Sequence, residues 1–161
     1  MSDKKFSIRF AEVKDIPTIL RFIKELAAYE KLEHEVTATE EILKEWIFEK
    51  KKAEVLIALE DDVEVGYALF FHNFSTFLGK AGIYLEDLYI SPNYRGLGYG
   101  KSLLKELAKI AVDRGCERLD WQCLDWNKPS IDFYLSLNAS AMEEWTTYRL
   151  SHNNLKKFAN E

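Results

Sequence analysis

The 161-residue sequence predicts a mixed α/β domain in which helices flank one sheet. Two patterns predict this class. Several short segments alternate apolar and polar residues, as strands do, and others carry apolar residues three or four positions apart, as helices do. The two kinds of segment are interspersed, without an internal repeat or a low-complexity linker between them. We therefore expect residues 1–161 to form a single domain, which is an ordinary domain size.

The N-terminal third predicts a strand followed by two helices. Alternation from Phe6 to Phe10 indicates the strand, and Asp15 with Pro17 marks the start of the first helix. Thr37 and Glu40 fit a capping box ahead of a second apolar stripe at helical spacing. The second helix is therefore expected directly after the first.

The middle of the chain predicts three strands. Residues 55–59 alternate as a strand, the turn at 60–62 reverses the chain, and residues 65–71 form the hairpin partner. A third strand is expected at 82–90. The remaining predicted elements are a long amphipathic helix at 98–114 with Gly115 placed to end it, a strand at 119–124, a helix capped by Asn127 with Pro129 in its first turn, a late strand at 145–150 and a short terminal helix at 153–161.

Charge and composition argue against several classes of function. A formal net charge of −5 disfavours nucleic-acid binding, which rests largely on lysine and arginine, and it suits a small cationic partner. The same acids are also compatible with a solvated surface. The polar N-terminus predicts neither a signal peptide nor a membrane span, so we expect a cytoplasmic protein with no membrane partner. Two cysteines and three scattered histidines lack metal-ligand spacing, so no metal is expected.

A glycine-rich turn lies between the strand at 82–90 and the long helix, and it reads Arg95-Gly96-Leu97-Gly98-Tyr99-Gly100. Glycines let a backbone approach a ligand closely, and the helix that they open offers free N–H groups and a positive dipole end to a pyrophosphate. A plain strand-to-helix turn explains the same glycines. A P-loop is excluded because Arg95 stands where its first glycine belongs, and a dinucleotide fingerprint because Lys101 stands where its third belongs.

The glycine-rich turn resembles the Arg/Gln-x-x-Gly-x-Gly/Ala signature of the GNAT acetyltransferases. Three further segments are similar to the spermidine/spermine N-acetyltransferase family and its thialysine-acetylating relatives: IKELAAYE at 23–30, YLED at 84–87 and DWNKPSIDFY at 125–134. The resemblance therefore spans most of the chain in the right order. It implies the GNAT fold, with a central, mixed and mostly antiparallel twisted sheet flanked by helices, and it implies a homodimer.

The resemblance also implies acetyl-CoA as the co-substrate. Backbone amides from Gly96 to Lys101 would cradle its pyrophosphate, and the strand from Leu88 to Ile90 would run beside the pantetheine arm and the acetyl group. The implied cofactor-contacting residues are Leu88, Tyr89, Ile90, Arg95, Gly96, Leu97, Gly98, Tyr99, Gly100, Lys101, Asn127, Lys128, Pro129 and Ser130. No metal is implied.

For the chemistry, the resemblance implies that Tyr134 is a catalytic tyrosine that donates a proton to the departing CoA thiolate, although spacing alone places it on a helix face packed into the core. Glu86 is the candidate base, acting through water, and its alternatives are binding of the ammonium or a salt bridge. Asp87 is its neighbour and is expected by strand alternation to face the other way. Tyr29 and Glu30 would add to the amine pocket.

These features predict transfer of an acetyl group from acetyl-CoA to the primary amine of a small cationic substrate, either a polyamine or a thialysine- or lysine-like amine. The amine would attack directly in a ternary complex. The alternatives are a protein lysine or an aminoglycoside as the acceptor, and a domain that binds acyl-CoA without catalysis. A covalent route through Cys123 is disfavoured because an alternating strand would bury its thiol.

Overall fold

The computed structural model describes residues 3–161, which form two compact units, one ending at Gln122 and the other spanning Cys123–Glu161. The first unit contains a five-stranded sheet whose strand order follows the chain. Its strands are β1 (Phe6–Phe10), β2 (Glu54–Glu60), β3 (Val63–Ser75), β4 (Lys80–Ile90) and β5 (Leu119–Trp121). Strands β1 to β4 pair antiparallel, whereas β5 runs parallel to β4. The predicted mixed and mostly antiparallel sheet is confirmed.

Along the chain, helices lie between strands of this sheet and after its last strand. The first unit carries three of them and the second carries two, together with short 3₁₀ turns. The helices are α1 (Ile16–Tyr29), α2 (Glu40–Leu43) with its π-helical continuation Lys44–Glu49, α3 (Tyr99–Asp113), α4 (Lys128–Ser136) and α5 (His152–Ala159). None of the helices formed by the described residues is both long and apolar enough to cross a lipid bilayer.

The core lies on both faces of the sheet. From α1, Ile19 and Phe22 are fully buried, and the Phe22 ring stacks on Tyr67 of β3 with the ring centroids 5.6 Å apart. Helix α3 contacts β2, β4 and β5 and buries Leu103 and Leu107 completely. Strand β2 is therefore buried along almost its whole length, which fits its continuous apolar sequence.

Local sequence signals explain where several elements turn or end. The β2–β3 hairpin closes through Asp61 and Asp62, whose φ angles of 48° and 66° are those of a type I′ turn. Helix α3 ends before Gly115, which has a φ of 77°, and the Cys116 N–H donates to the Ala111 carbonyl at 2.8 Å. Asn127 caps α4 by accepting from the Ser130 N–H at 3.4 Å.

Three details of the predicted secondary structure are wrong. Thr39, not Thr37, caps α2, because its hydroxyl accepts from the Ile42 N–H at 3.2 Å, and a 3₁₀ turn lies between α1 and α2. Strand β5 ends at Trp121 instead of continuing to residue 124. Residues 145–150 form no strand, and no described strand pairs with them. Alternation alone does not make a strand where a hydrogen-bonding neighbour is missing.

Candidate active site

The glycine-rich turn gives α3 an N-terminus that no side chain caps. Gly98 occupies the N-cap position with a φ of 83°, and Gly96 has a φ of 78°, both in the left-handed region that favours glycine. A Cβ built on either residue would meet no protein atom within 4 Å. These glycines are therefore required by the backbone conformation and not by packing, and the space beside them is open. The first-turn N–H groups of α3 can receive an anion there.

Tyr99, the first residue of α3, is anchored away from this turn. Its ring stacks on Phe6 of β1 at 4.1 Å, and its hydroxyl donates to the carboxylate of Glu60 at the end of β2. The hydrogen bond to Glu60, together with burial, raises the pKa of Tyr99 to about 12. Lys4 completes the network with an ion pair to Glu60 at 3.1 Å. The side chain of Tyr99 thus fixes the start of the helix, which leaves its backbone as the part that can contact a ligand in the turn.

Arg95 ties the other end of the turn to β4 and α1. Its Nε donates to the Ile90 carbonyl at 2.8 Å, and its guanidinium lies over the rings of Tyr29 and Tyr89, 5.2 and 5.4 Å from their centroids. Cation–π contacts of this kind hold the guanidinium against the aromatic faces. The glycine-rich turn is therefore held at both ends by side chains.

Strand β4 has an open edge beside the turn. The ladder with β5 covers only Ile83 to Leu85, so β4 continues from Glu86 to Ile90 with β3 on one side and no paired strand from the described residues on the other. The Ile90 carbonyl accepts from Arg95, and the other backbone N–H and C=O groups on that side of Leu88–Ile90 are placed to meet an extended ligand. This edge leads directly into the glycine-rich turn.

A β-bulge shapes the centre of β4. Asp87 lies opposite Leu69 and Leu85 lies opposite Phe70, so Glu86 is an extra residue without a direct partner on β3. A bulge interrupts the regular alternation of side chains and re-aims them. The expectation that Asp87 faces the other way from Glu86 stays a prediction, and both carboxylates act electrostatically on the same group, Glu30.

Three carboxylates, Glu30, Glu86 and Asp87, form what we call the acidic cluster. Glu30 directly follows α1, and burial together with the charges of Asp87 and Glu86 raises its pKa. Burial also raises the pKa of Asp87, while the hydroxyl of Tyr67 donates to that carboxylate and opposes the rise. Glu30 and Asp87 are partly buried and Glu86 is exposed. An ammonium beside them would offset both the burial and the mutual repulsion of these acids.

The sequence matches the acetyltransferase (GNAT) family over residues 19–138. The chain belongs to this family. It is 38% identical to the thialysine N-epsilon-acetyltransferase of Bos taurus, over 94% of this chain and 96% of that protein. It is 36% identical to human spermidine/spermine N(1)-acetyltransferase-like protein 1, over 96% of this chain and 24% of that protein.

A solved structure is similar to this chain over nearly its whole length. An integron cassette protein from the mobile metagenome of V. cholerae superposes with a TM-score of 0.81 and 31% sequence identity, covering 97% of this chain and 98% of that chain. The protein is thus a GNAT N-acetyltransferase that acts on an amine. Within residues 3–161, no three histidine, cysteine, aspartate or glutamate side chains are placed to hold a metal ion.

The second unit of this GNAT chain carries the other predicted site residues. Asn127, Lys128, Pro129 and Ser130 form the cap and first turn of α4, and Lys128 pairs with Asp132 at 2.9 Å. Tyr134 lies half-buried on the same helix, with its ring centroid 5.5 Å from that of Phe133. The predicted helix and its cap are confirmed, and the roles of these side chains remain predictions.

Tyr67, Glu60 and Glu25 belong to the surroundings of the site, although the sequence did not indicate them. Glu25 accepts a hydrogen bond from the Ser91 hydroxyl at 3.4 Å, which links α1 to the residue after β4. Tyr67 and Glu60 act through hydrogen bonds to Asp87 and Tyr99, respectively. Each of these contacts joins segments that are far apart in the chain, so only the strand register and the helix packing reveal them.

Proposed function

We propose that this N-acetyltransferase transfers an acetyl group from acetyl-CoA to the primary amine of a small cationic substrate, a polyamine or a thialysine- or lysine-like amine. The observation that carries the proposal is the pairing of an anion-accepting turn with a cation-accepting cluster along one strand. The uncapped start of α3 suits a pyrophosphate, and the acidic cluster suits an ammonium. Asp87 and Ile90 are three positions apart on β4, roughly 10 Å of extended chain.

The residues present fit acetyl-CoA. Amides from Gly96 to Lys101 would hold its pyrophosphate, because both positive-φ glycines border open space and no side chain caps the helix. The open edge of β4 from Leu88 to Ile90 would run beside the pantetheine arm. Residues 127–130 would add contacts by their likeness to the family motif. Bound acetyl-CoA would supply an activated thioester, and an amide N–H near Leu88 would stabilise the oxyanion formed on attack.

The acidic cluster would prepare the amine. A primary amine with a pKa of about 10.4 is unprotonated in only about one molecule in a few thousand at pH 7. Glu30 and Asp87 would hold the ammonium, and Glu86 would accept its proton through a water molecule. The free amine would then attack the thioester directly, without a covalent intermediate on the protein.

Tyr134 would assist the departing thiolate, a role that rests on its place in the motif at 125–134. A phenol near pKa 10 and a thiol near pKa 8.5 differ by about 1.5 units, so complete proton transfer is uphill by roughly 2 kcal/mol. Tyr134 would therefore act chiefly by donating a hydrogen bond as negative charge develops on sulfur.

The test is release of CoA thiol from acetyl-CoA at pH 8 with a panel of amines: spermidine, spermine, putrescine, thialysine, lysine, an aminoglycoside and a lysine-containing peptide. Turnover with the polyamines or with thialysine and lysine, above a control without amine, supports the proposal. Turnover with only the aminoglycoside or the peptide moves the acceptor to that class. Binding of acetyl-CoA without turnover on any amine would indicate a non-catalytic acyl-CoA module and refute the proposal.

A further inference from the structure

Tyr67 brings a polar group into the apolar core beside the acidic cluster. Its side chain is completely buried, its ring stacks on Phe22 of α1, and Tyr89 belongs to the same core cluster. The sole hydroxyl of this buried side chain donates to Oδ2 of Asp87. A buried hydroxyl needs such a partner, because leaving it unpaired destabilises the fold.

The strand register sets this contact. Tyr67 lies directly opposite Tyr89 in the β3–β4 ladder, and Leu69 lies opposite Asp87. Asp87 is therefore the diagonal neighbour of Tyr67 on the face of the sheet that packs against α1. The bulge at Glu86 lies next to the Leu69–Asp87 pair in the ladder. Asp87 is therefore the regularly paired residue that borders the bulge.

The charges around Asp87 are mostly of its own sign. Glu86 comes from β4 and Glu30 from the end of α1, and both act with Asp87 on the buried hydroxyl of Tyr67. Glu25 of α1 and Arg95 of the glycine-rich turn act on the neighbouring hydroxyl of Tyr89. Burial raises the pKa of Asp87, and the Tyr67 hydroxyl is the group that lowers it. The hydrogen bond from Tyr67 thus favours the ionised form of Asp87.

We propose that Tyr67 is a positioning residue for the amine substrate, whose buried hydroxyl fixes Oδ2 of Asp87 and leaves Oδ1 to face the ammonium. The inference rests on the proposed function, since it assigns a role in amine binding. It adds a residue that never touches the substrate and acts only through Asp87. A purely structural tyrosine would instead affect stability and leave amine recognition unchanged.

The test variant is Tyr67→Phe, which keeps the ring and its stacking on Phe22 and removes only the hydroxyl. We expect the KM for the amine to rise about tenfold, the ordinary effect of losing a hydrogen bond to a charged group, while kcat and the KM for acetyl-CoA change less than about twofold. The acid limb of the kcat/KM profile should move to higher pH, because Asp87 loses the donor that favours its ionised form. The defect should therefore shrink as the pH rises.

Asp87→Asn supplies the control in a double-mutant cycle. In that background, Tyr67→Phe should change the KM for the amine by less than about twofold, because the two residues act as a unit. A further tenfold loss there would contradict the proposal. The proposal would also be contradicted if Tyr67→Phe alone kept the wild-type pH profile while its melting temperature and its KM for acetyl-CoA both changed.

A carboxyl-carbon NMR titration of Asp87 provides a readout that needs no turnover. The pKa of Asp87 should be higher in Tyr67→Phe than in the wild-type protein, and equal values would overturn the inference. If the wild-type protein acetylates no amine of the panel, the proposed function fails, and the amine-binding role of Tyr67 fails with it. If the wild-type protein is active and the titration is unchanged by the substitution, the inference about Tyr67 fails alone.

Discussion

The glycine-rich turn follows β4 and two residues of the acidic cluster lie on that strand, yet the turn and the cluster are built in opposite ways. The turn offers backbone N–H groups, and its side chains at Arg95 and Tyr99 are engaged elsewhere to hold the backbone in place. The cluster offers side-chain carboxylates held by burial and by one hydroxyl. The turn should therefore be sensitive to shape and insensitive to pH. The cluster should respond most strongly to changes of charge and pH.

The largest expected effect tests the shape of the turn. Gly98→Trp would place an indole in the open space beside the first turn of α3, where we expect the pyrophosphate to bind. Binding of acetyl-CoA should weaken by about 100-fold or more, equivalent to about 2.7 kcal/mol, as measured by isothermal titration calorimetry. The change also introduces strain, because a tryptophan would have to adopt the φ of 83° that glycine adopts here.

Gly79→Trp is the matched control for this strain. Gly79 lies in the β3–β4 hairpin turn, has a φ of 68° and likewise meets no atom within 4 Å of a built Cβ. The Gly79→Trp variant should lose stability as Gly98→Trp does, while its affinity for acetyl-CoA stays at the wild-type level. Equal loss of affinity in both variants would mean that strain, and not occupation of the turn, explains the effect.

The second prediction concerns the leaving group, which neither the turn nor the cluster serves. Tyr134→Phe should lower kcat by about 100-fold, within the usual range for a group that assists proton transfer, and leave the Kd for acetyl-CoA unchanged. Tyr148→Phe is the control, because that tyrosine is 91% exposed and belongs to no predicted site. A parallel loss of acetyl-CoA binding in Tyr134→Phe would assign the tyrosine to packing or to cofactor binding instead.

The third prediction uses pH to separate the cluster from the turn. Glu86→Gln should reduce kcat/KM for the amine by about tenfold at pH 7 and by only about twofold near pH 10, where free amine is no longer scarce. Glu117→Gln, which removes an exposed carboxylate paired with Lys80, should follow the wild-type profile throughout. If the defect of Glu86→Gln has the same size at every pH, Glu86 binds the ammonium and another group removes the proton.

The same contrast explains what the sequence could predict. The turn was predictable because glycine is the residue that favours positive φ, so the residue types at 96 and 98 encode the conformation. The arrangement of the cluster was not predictable in detail. The bulge at Glu86 depends on how β3 and β4 pair, and a local alternation pattern carries no information about an extra residue in the ladder.

The pairing of strands and the contacts between distant side chains were equally unpredictable from the sequence. Residues 145–150 have the composition of a strand, but strand formation also requires a neighbour, which no local pattern specifies. The contact between Tyr67 and Asp87 spans twenty positions in the chain and follows only from the hairpin register. By contrast, the helix starts near Pro17 and at Asn127 were predictable, because a proline in the first turn and a capping side chain are signals carried by neighbouring residues.

The smallest expected effect separates conformation from close approach within the turn. Gly100 lies in the first turn of α3 with an ordinary helical backbone, and a built Cβ would touch only Cγ1 of Ile90, at 3.9 Å. Gly100→Ala should therefore raise the free energy of unfolding by about 0.5–1 kcal/mol, as alanine does in a helix, and its N–H remains available to a phosphate. The KM for acetyl-CoA should stay within about twofold of wild type. A large rise in that KM, with stability increased as expected, would mean that the ligand approaches the backbone most closely at Gly100. The closest contact between ligand and backbone would then lie in the first turn of α3 and not at Gly96 and Gly98.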